Sequence, residues 1–191
     1  MAARLAVLCL GALALSLSSV AASDAVDAVN SMVEIEAVAV GAIFPGSIRD
    51  RDASRSNIDR RISPEMSQKN REQLIVAFEV ALERVQKMGE CRDLFTDLGA
   101  DWMAALSRVS FYPMGRREAL PTMCRGVDAY TMVGGGPTWL CRDFWRLTDK
   151  RAAMIIIHEA LHHAGLTEWP GDPDGMRSVA INKMVAEHCG L

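Results

Sequence analysis

The sequence predicts a mainly helical α+β single domain with a small sheet or hairpin. Three observations carry that expectation. The chain has 191 residues, the length of one domain with small appendages. Half of its residues are apolar and 24% are charged, which is enough to bury a core and unlike a disordered chain. Apolar residues recur at helical spacing in several segments, while strand-like runs gather around one glycine turn. The remaining composition narrows the class. A formal net charge of −3 leaves no basic stripe, so nucleic acid is not expected as a partner. Aromatics make up 6% against 11 methionines, so the core is expected to be aliphatic and thioether. Neither repeats nor sustained heptads are present.

The first expected element is a targeting segment. Arg4 gives a short positive start, Leu5 to Val20 is uncharged, and Val20-Ala21-Ala22 places small residues before Ser23. Residues 1–22 therefore read as a cleavable signal peptide, too short for a membrane span. Leu8 is too bulky for lipoprotein cleavage at Cys9. No stable membrane insertion is expected once the segment is removed, and the expected location is secreted or periplasmic. Residues 23–62 read as an N-terminal arm, pro-segment or linker. Val26 to Ile43 is small and apolar without a clear period, and Arg49 to Arg61 is charged and carries serine.

Ser63-Pro64-Glu65 reads as a helix start and opens the domain expected over 63–191. Leu74, Phe78, Ala81, Val85 and Met88 mark its buried face, and Gly89 reads as its end. A short helix is expected from Asp101, with Trp102, Leu106 and Val109. Asp128 to Val133 and Thr138 to Cys141 read as two strands around Gly134-Gly135-Gly136-Pro137. A helix from Asp149 should stop at Gly165. Trp169 to Gly175 is a loop, and Met176 to His188 a closing helix.

Cysteine usage agrees with export. Cys91, Cys124, Cys141 and Cys189 remain after signal removal, an even number suited to disulfides. Four cysteines allow three pairings. The strand-turn-strand reading brings Cys124 and Cys141 together and so favours Cys124–Cys141 with Cys91–Cys189. A four-cysteine zinc site is disfavoured because no CxxC spacing occurs.

The chemistry gathers in His158-Glu159-Ala160-Leu161-His162, an HExxH run on the helix expected from Asp149. Residues four apart share a helix face, so both imidazoles can address one Zn²⁺. Glu159 falls beside the metal without ligating it, where a carboxylate can take a proton from water. Three of the four histidines lie within the six residues 158–163. A helix merely capped by histidines is the bland alternative. His163 is turned about 100° from His162 and reads as a supporting or surface residue. Tyr130 and Tyr112 are the only tyrosines. Tyr130 is the preferred donor to a developing oxyanion, because its strand precedes the HExxH helix. His188 reads as a surface residue, and Arg116-Arg117 as a solvated pair.

The run from His158 through Gly165 to Glu168 resembles the HExxHxxGxxH pattern of metzincins, with Glu168 where their third histidine stands. More widely, the last 50 or so residues look like small exported bacterial zinc metallopeptidases related to aspzincins and metzincins. That resemblance implies a zincin-type fold, a zinc ion held by His158, His162 and Glu168, and Glu159 as general base. An aspzincin-like arrangement would use Asp172 as third ligand, and a gluzincin-like one Glu187. The expected activity is hydrolysis of a protein or peptide substrate. A zinc amidase acting on cell-wall or other non-protein amides and a zinc-retaining binding protein remain alternatives.

Overall fold

Ser67, rather than Ser63, caps the first long helix in the computed structural model, which describes residues 55–114 and 124–191. Its hydroxyl accepts the Asn70 N–H at 3.3 Å, so α1 runs Gln68–Lys87. Ser63 is drawn off instead by a neighbouring strand: its N–H donates to the Phe111 carbonyl at 2.8 Å. The expected start is therefore corrected by a few residues, because a backbone bond to Phe111 outranks the local capping signal. The segment before it is also part of the body. Ile58 and Ile62 are buried in the core, and Ile62 bridges Phe111. The folded unit thus begins before Ser63, inside the stretch read as an arm. The stretch expected to be a signal peptide, Cys9, the rest of the expected arm and Arg116-Arg117 lie outside the described residues.

Leu74, Ala77, Phe78, Ala81, Leu82 and Val85 bury one face of α1. Gly89 does not end it; Met88 turns the chain in an extended conformation and Gly89 opens α2 (Gly89–Thr96). That unanticipated helix turns Cys91, Leu94 and Phe95 inward. Helix α3 (Trp102–Arg108) follows, capped as expected by Asp101, whose carboxylate accepts the Ala104 N–H at 2.7 Å.

Strands β1 (Ser110–Pro113), β2 (Ala129–Tyr130) and β3 (Pro137–Leu140) make one sheet in the order β1-β3-β2. β3 runs parallel to β1 and antiparallel to β2. The two strands expected around the glycine turn are present, the first cut to two residues and the second shifted by one. Gly134, Gly135 and Gly136 have φ of 83°, 126° and 124°, values that favour glycine. The Gly134 N–H then donates to the His162 carbonyl at 2.9 Å, which docks the turn on the HExxH helix.

That helix, α4 (Asp149–His163), is capped by Thr148 and buried continuously from Ala152 to His163. A helix apolar nearly all round belongs inside a core. It packs against α1, α3, β2 and the final helix. Beyond it, β4 (Glu168–Trp169) and β5 (Met176–Arg177) pair in parallel. Helix α5 (Ser178–Cys189) therefore starts slightly later than expected and ends on Gly190 at φ 61°. Disulfides join Cys91 to Cys189, clamping α2 to α5, and Cys124 to Cys141. The architecture is mainly helical α+β. Among the described residues no helix is long and apolar enough to cross a membrane.

Candidate metal centre

Spacing on α4 and a sharp turn after it create the site. His158 and His162 lie one helical turn apart, with ring centroids 4.9 Å apart. Gly165, at φ 106°, lets the chain leave the helix abruptly. Residues 166–168 then fold back, and Glu168 enters β4 facing the two imidazoles. His158 Nε2 and His162 Nε2 are 3.0 Å apart, and Glu168 Oε2 lies 3.2 Å and 3.0 Å from them. Ligand atoms sharing one tetrahedral ion at about 2.0–2.2 Å are separated by about 3.3–3.6 Å. The edges of this triangle are slightly shorter.

Hydrogen bonds behind the rings decide which nitrogens face inward. His162 Nδ1 lies 2.7 Å from the Leu166 carbonyl, which only accepts, so Nδ1 carries the proton and Nε2 the lone pair. His158 Nδ1 donates in the same way to the Asn182 amide oxygen at 2.8 Å. Two nitrogen lone pairs and a carboxylate oxygen thus converge on one point. A cation is what such a point accommodates. His158, His162 and Glu168 form a group able to hold a metal ion.

The surrounding charges respond to this arrangement. Burial raises the Glu168 carboxyl, but whenever the Nε2 atoms of His158 and His162 carry hydrogens their hydrogen bonds and charge outweigh burial and bring its pKa to about 2. Burial lowers His162, yet its contacts with Glu168 leave it raised overall. Glu159 is buried beside the cluster, and burial holds its pKa above the usual carboxylate value despite both histidines. Its Oε2 makes no hydrogen bond. A partly buried Glu168 kept ionised and a buried Glu159 drawn toward neutrality are two glutamates with different chemistry.

A cleft of about 440 Å³ opens over these groups. Tyr130 lines it, as do Met132, Val133 and Trp169. The last three are about half exposed, and the Arg177 guanidinium stands 5.5 Å over the Trp169 ring. Tyr112, by contrast, is exposed on β1. Asp172 is not with the ligand group: its carboxylate accepts the Asp174 N–H within its own loop. Glu187 is also apart, exposed on α5 near Lys183 at 3.7 Å. His188 Nδ1 donates to the Met184 carbonyl. His163 is not a surface residue; it is 5% exposed, both ring nitrogens lack partners, and burial lowers its pKa.

Asn182 and the buried pair Thr131 and Thr138 were not singled out by the sequence. An asparagine inside a helix, where its propensity is poor, is the one trace Asn182 leaves. Compared with known proteins, the chain matches no family model, no curated protein and no solved structure.

Proposed function

We propose that the protein is an exported zinc-dependent metalloendopeptidase of the zincin type. One observation carries the reading. Two imidazoles with their Nδ1 atoms engaged elsewhere meet Glu168 at 3.0–3.2 Å, with a buried, non-ligating Glu159 beside them on the floor of a cleft. His158, His162 and Glu168 would hold the ion. When bound, zinc supplies Lewis acidity toward a carbonyl oxygen and makes nearby water easier to deprotonate. Glu159 takes the proton from that water and returns it to the leaving amine, a task suited to a carboxylate whose pKa burial raises. The Tyr130 phenol, on the cleft wall, donates to the carbonyl oxygen as negative charge develops there. Met132 and Val133 on one lip and Trp169 on the other suit an extended peptide with an apolar side chain. The two disulfides support export, because such bonds persist in oxidising compartments.

Metal analysis paired with a peptide-library digest tests this. The purified protein should hold about one zinc per chain and cleave peptides. His158→Ala with His162→Ala should abolish both. Glu159→Gln should keep the zinc and lose on the order of 10²–10⁴ in rate. Iron in place of zinc, or zinc with no cleavage of peptides, would overturn the reading; turnover of a cell-wall amide alone would move it to the amidase class.

A further inference from the structure

The hairpin of β2 and β3 walls one side of the cleft, and the two ends of that wall differ in chemistry. The strands pair antiparallel, Ala129 opposite Leu140 and Tyr130 opposite Trp139. The glycine turn closes one end. Met132 and Val133 line the cleft there, about half exposed, and the Gly134 N–H holds that end against the His162 carbonyl. A covalent bond closes the other end. Cys124 is joined to Cys141, the residue after β3, and the Cys141 N–H donates to the Asp128 carbonyl at 2.9 Å. Arg125, next to that disulfide, is exposed and lines the same cleft. It stands at the end of the wall away from Met132 and Val133.

The charge at that end is uncommitted. Arg55, Arg71 and Arg146 pair with Glu79, Asp59 and Asp143, and Arg177 covers the Trp169 ring. Among the described residues no carboxylate pairs with Arg125. The carboxylates of the cleft are engaged or enclosed: Glu168 lies against His158 and His162, and Glu159 is buried. A guanidinium left free on a cleft wall suits a carboxylate that enters from outside, which its planar fork can hold by two hydrogen bonds. The bridged turn fixes its backbone beforehand, which lowers the entropy lost on binding.

We propose that Arg125 is a specificity-determining residue that takes a carboxylate of the substrate, so that the preferred peptide carries an acidic group on one side of the scissile bond and an apolar side chain on the other. This rests on the reading of the cleft as that of a metallopeptidase. The carboxylate belongs either to an aspartate or glutamate side chain or to the C-terminus of the peptide.

A randomised decapeptide library with amidated C-termini, and the same library with free ones, separate those two sources when the zinc-loaded protein digests them and the products are sequenced. Wild type should favour aspartate and glutamate over asparagine and glutamine about tenfold at one position of the amidated library, the worth of one charge-assisted hydrogen bond. Enrichment confined to the free-acid library, at bonds near its end, assigns the carboxylate to the C-terminus instead. Arg125→Gln should abolish the enrichment, Arg125→Glu should turn it toward lysine and arginine, and Arg125→Lys should keep part of it. On a carboxylate peptide the loss in Arg125→Gln should fall on KM rather than kcat, because the contact is made before the bond breaks. Each profile is a ratio within one variant, so the amount of folded protein does not enter it. Equal cleavage of carboxylate and amide peptides by wild type, or an enrichment that survives Arg125→Glu, overturns the role of Arg125 and leaves the peptidase reading standing. Failure of the zinc-loaded protein to cleave either library overturns that reading and the role of Arg125 with it.

Discussion

At 2.8 Å from His158 Nδ1, the Asn182 amide oxygen decides which nitrogen of that ring turns toward Glu168. Partners of this kind orient a ligand, and their loss costs on the order of 10–100-fold in metal affinity. Asn182→Leu should therefore weaken zinc binding by that order with little loss of helix, as read by competition with a chromophoric chelator. Glu168→Ala should lose more and Asp172→Ala nothing, because the Asp172 carboxylate is engaged with Asp174 N–H inside its own loop. The same titration over pH has a definite sign. A zinc-bound imidazole must be unprotonated, and His162 is held above 6.5. Affinity should thus already be falling as acidification passes pH 6.5; a flat response from pH 8 to 6 would contradict this. His158, Glu159 and His162 were legible because a helix places residues four apart on one face, and Glu168 through the turn that Gly165 permits. Asn182 was not. Its contact with His158 spans 24 residues and leaves no period in the sequence.

The pairing of β4 with β5 places Glu168, and a glycine sets its closeness. A methyl at Gly175 would meet the backbone C, N and Cα of Glu168 at 2.7, 2.8 and 2.9 Å. Those atoms belong to a residue of the group able to hold a metal ion and cannot yield without moving it. Gly175→Ala should cost about 1–3 kcal/mol in stability and weaken zinc binding as well, seen in thermal melts with and without metal. Gly171→Ala, whose methyl would stand 3.4 Å from the Glu168 carbonyl oxygen, should be much milder. Pro170, Gly171, Asp172 and Gly175 marked this stretch as a loop, correctly for its middle. The two-residue strands at its ends were invisible, since alternation needs several residues to register. Strand β1 and the start of α1 were missed for a related reason. Ser63 satisfies its backbone on Phe111, far along the chain, rather than in the helix its own neighbours suggest.

Across the whole molecule the two disulfides divide the labour unequally. Cys91–Cys189 spans 98 residues and Cys124–Cys141 spans 17. Chain entropy then assigns about 4–5 kcal/mol to the first and about 3 to the second. Replacing both cysteines of the long bridge by alanine should lower stability more in urea titrations than the same change in the short one. A reversed order would mean that strain or residual structure outweighs loop length. The class of the molecule and the even set of cysteines were readable from composition, and the pairing followed from the strands around the glycine turn. The docking of α1 along α4 required the third dimension. A last consequence follows from where the site's parts lie along the chain. The three residues suited to the metal lie within ten residues of one another, from 158 to 168, whereas part of the cleft wall belongs to a strand-and-turn segment that is placed only when the sheet assembles. On the proposed function, ion capture rests on residues close in sequence, whereas hydrolysis also needs groups brought from far along the chain. If the proposed function holds, an unfolded chain is spared its own hydrolytic chemistry until the sheet has closed over its loose backbone.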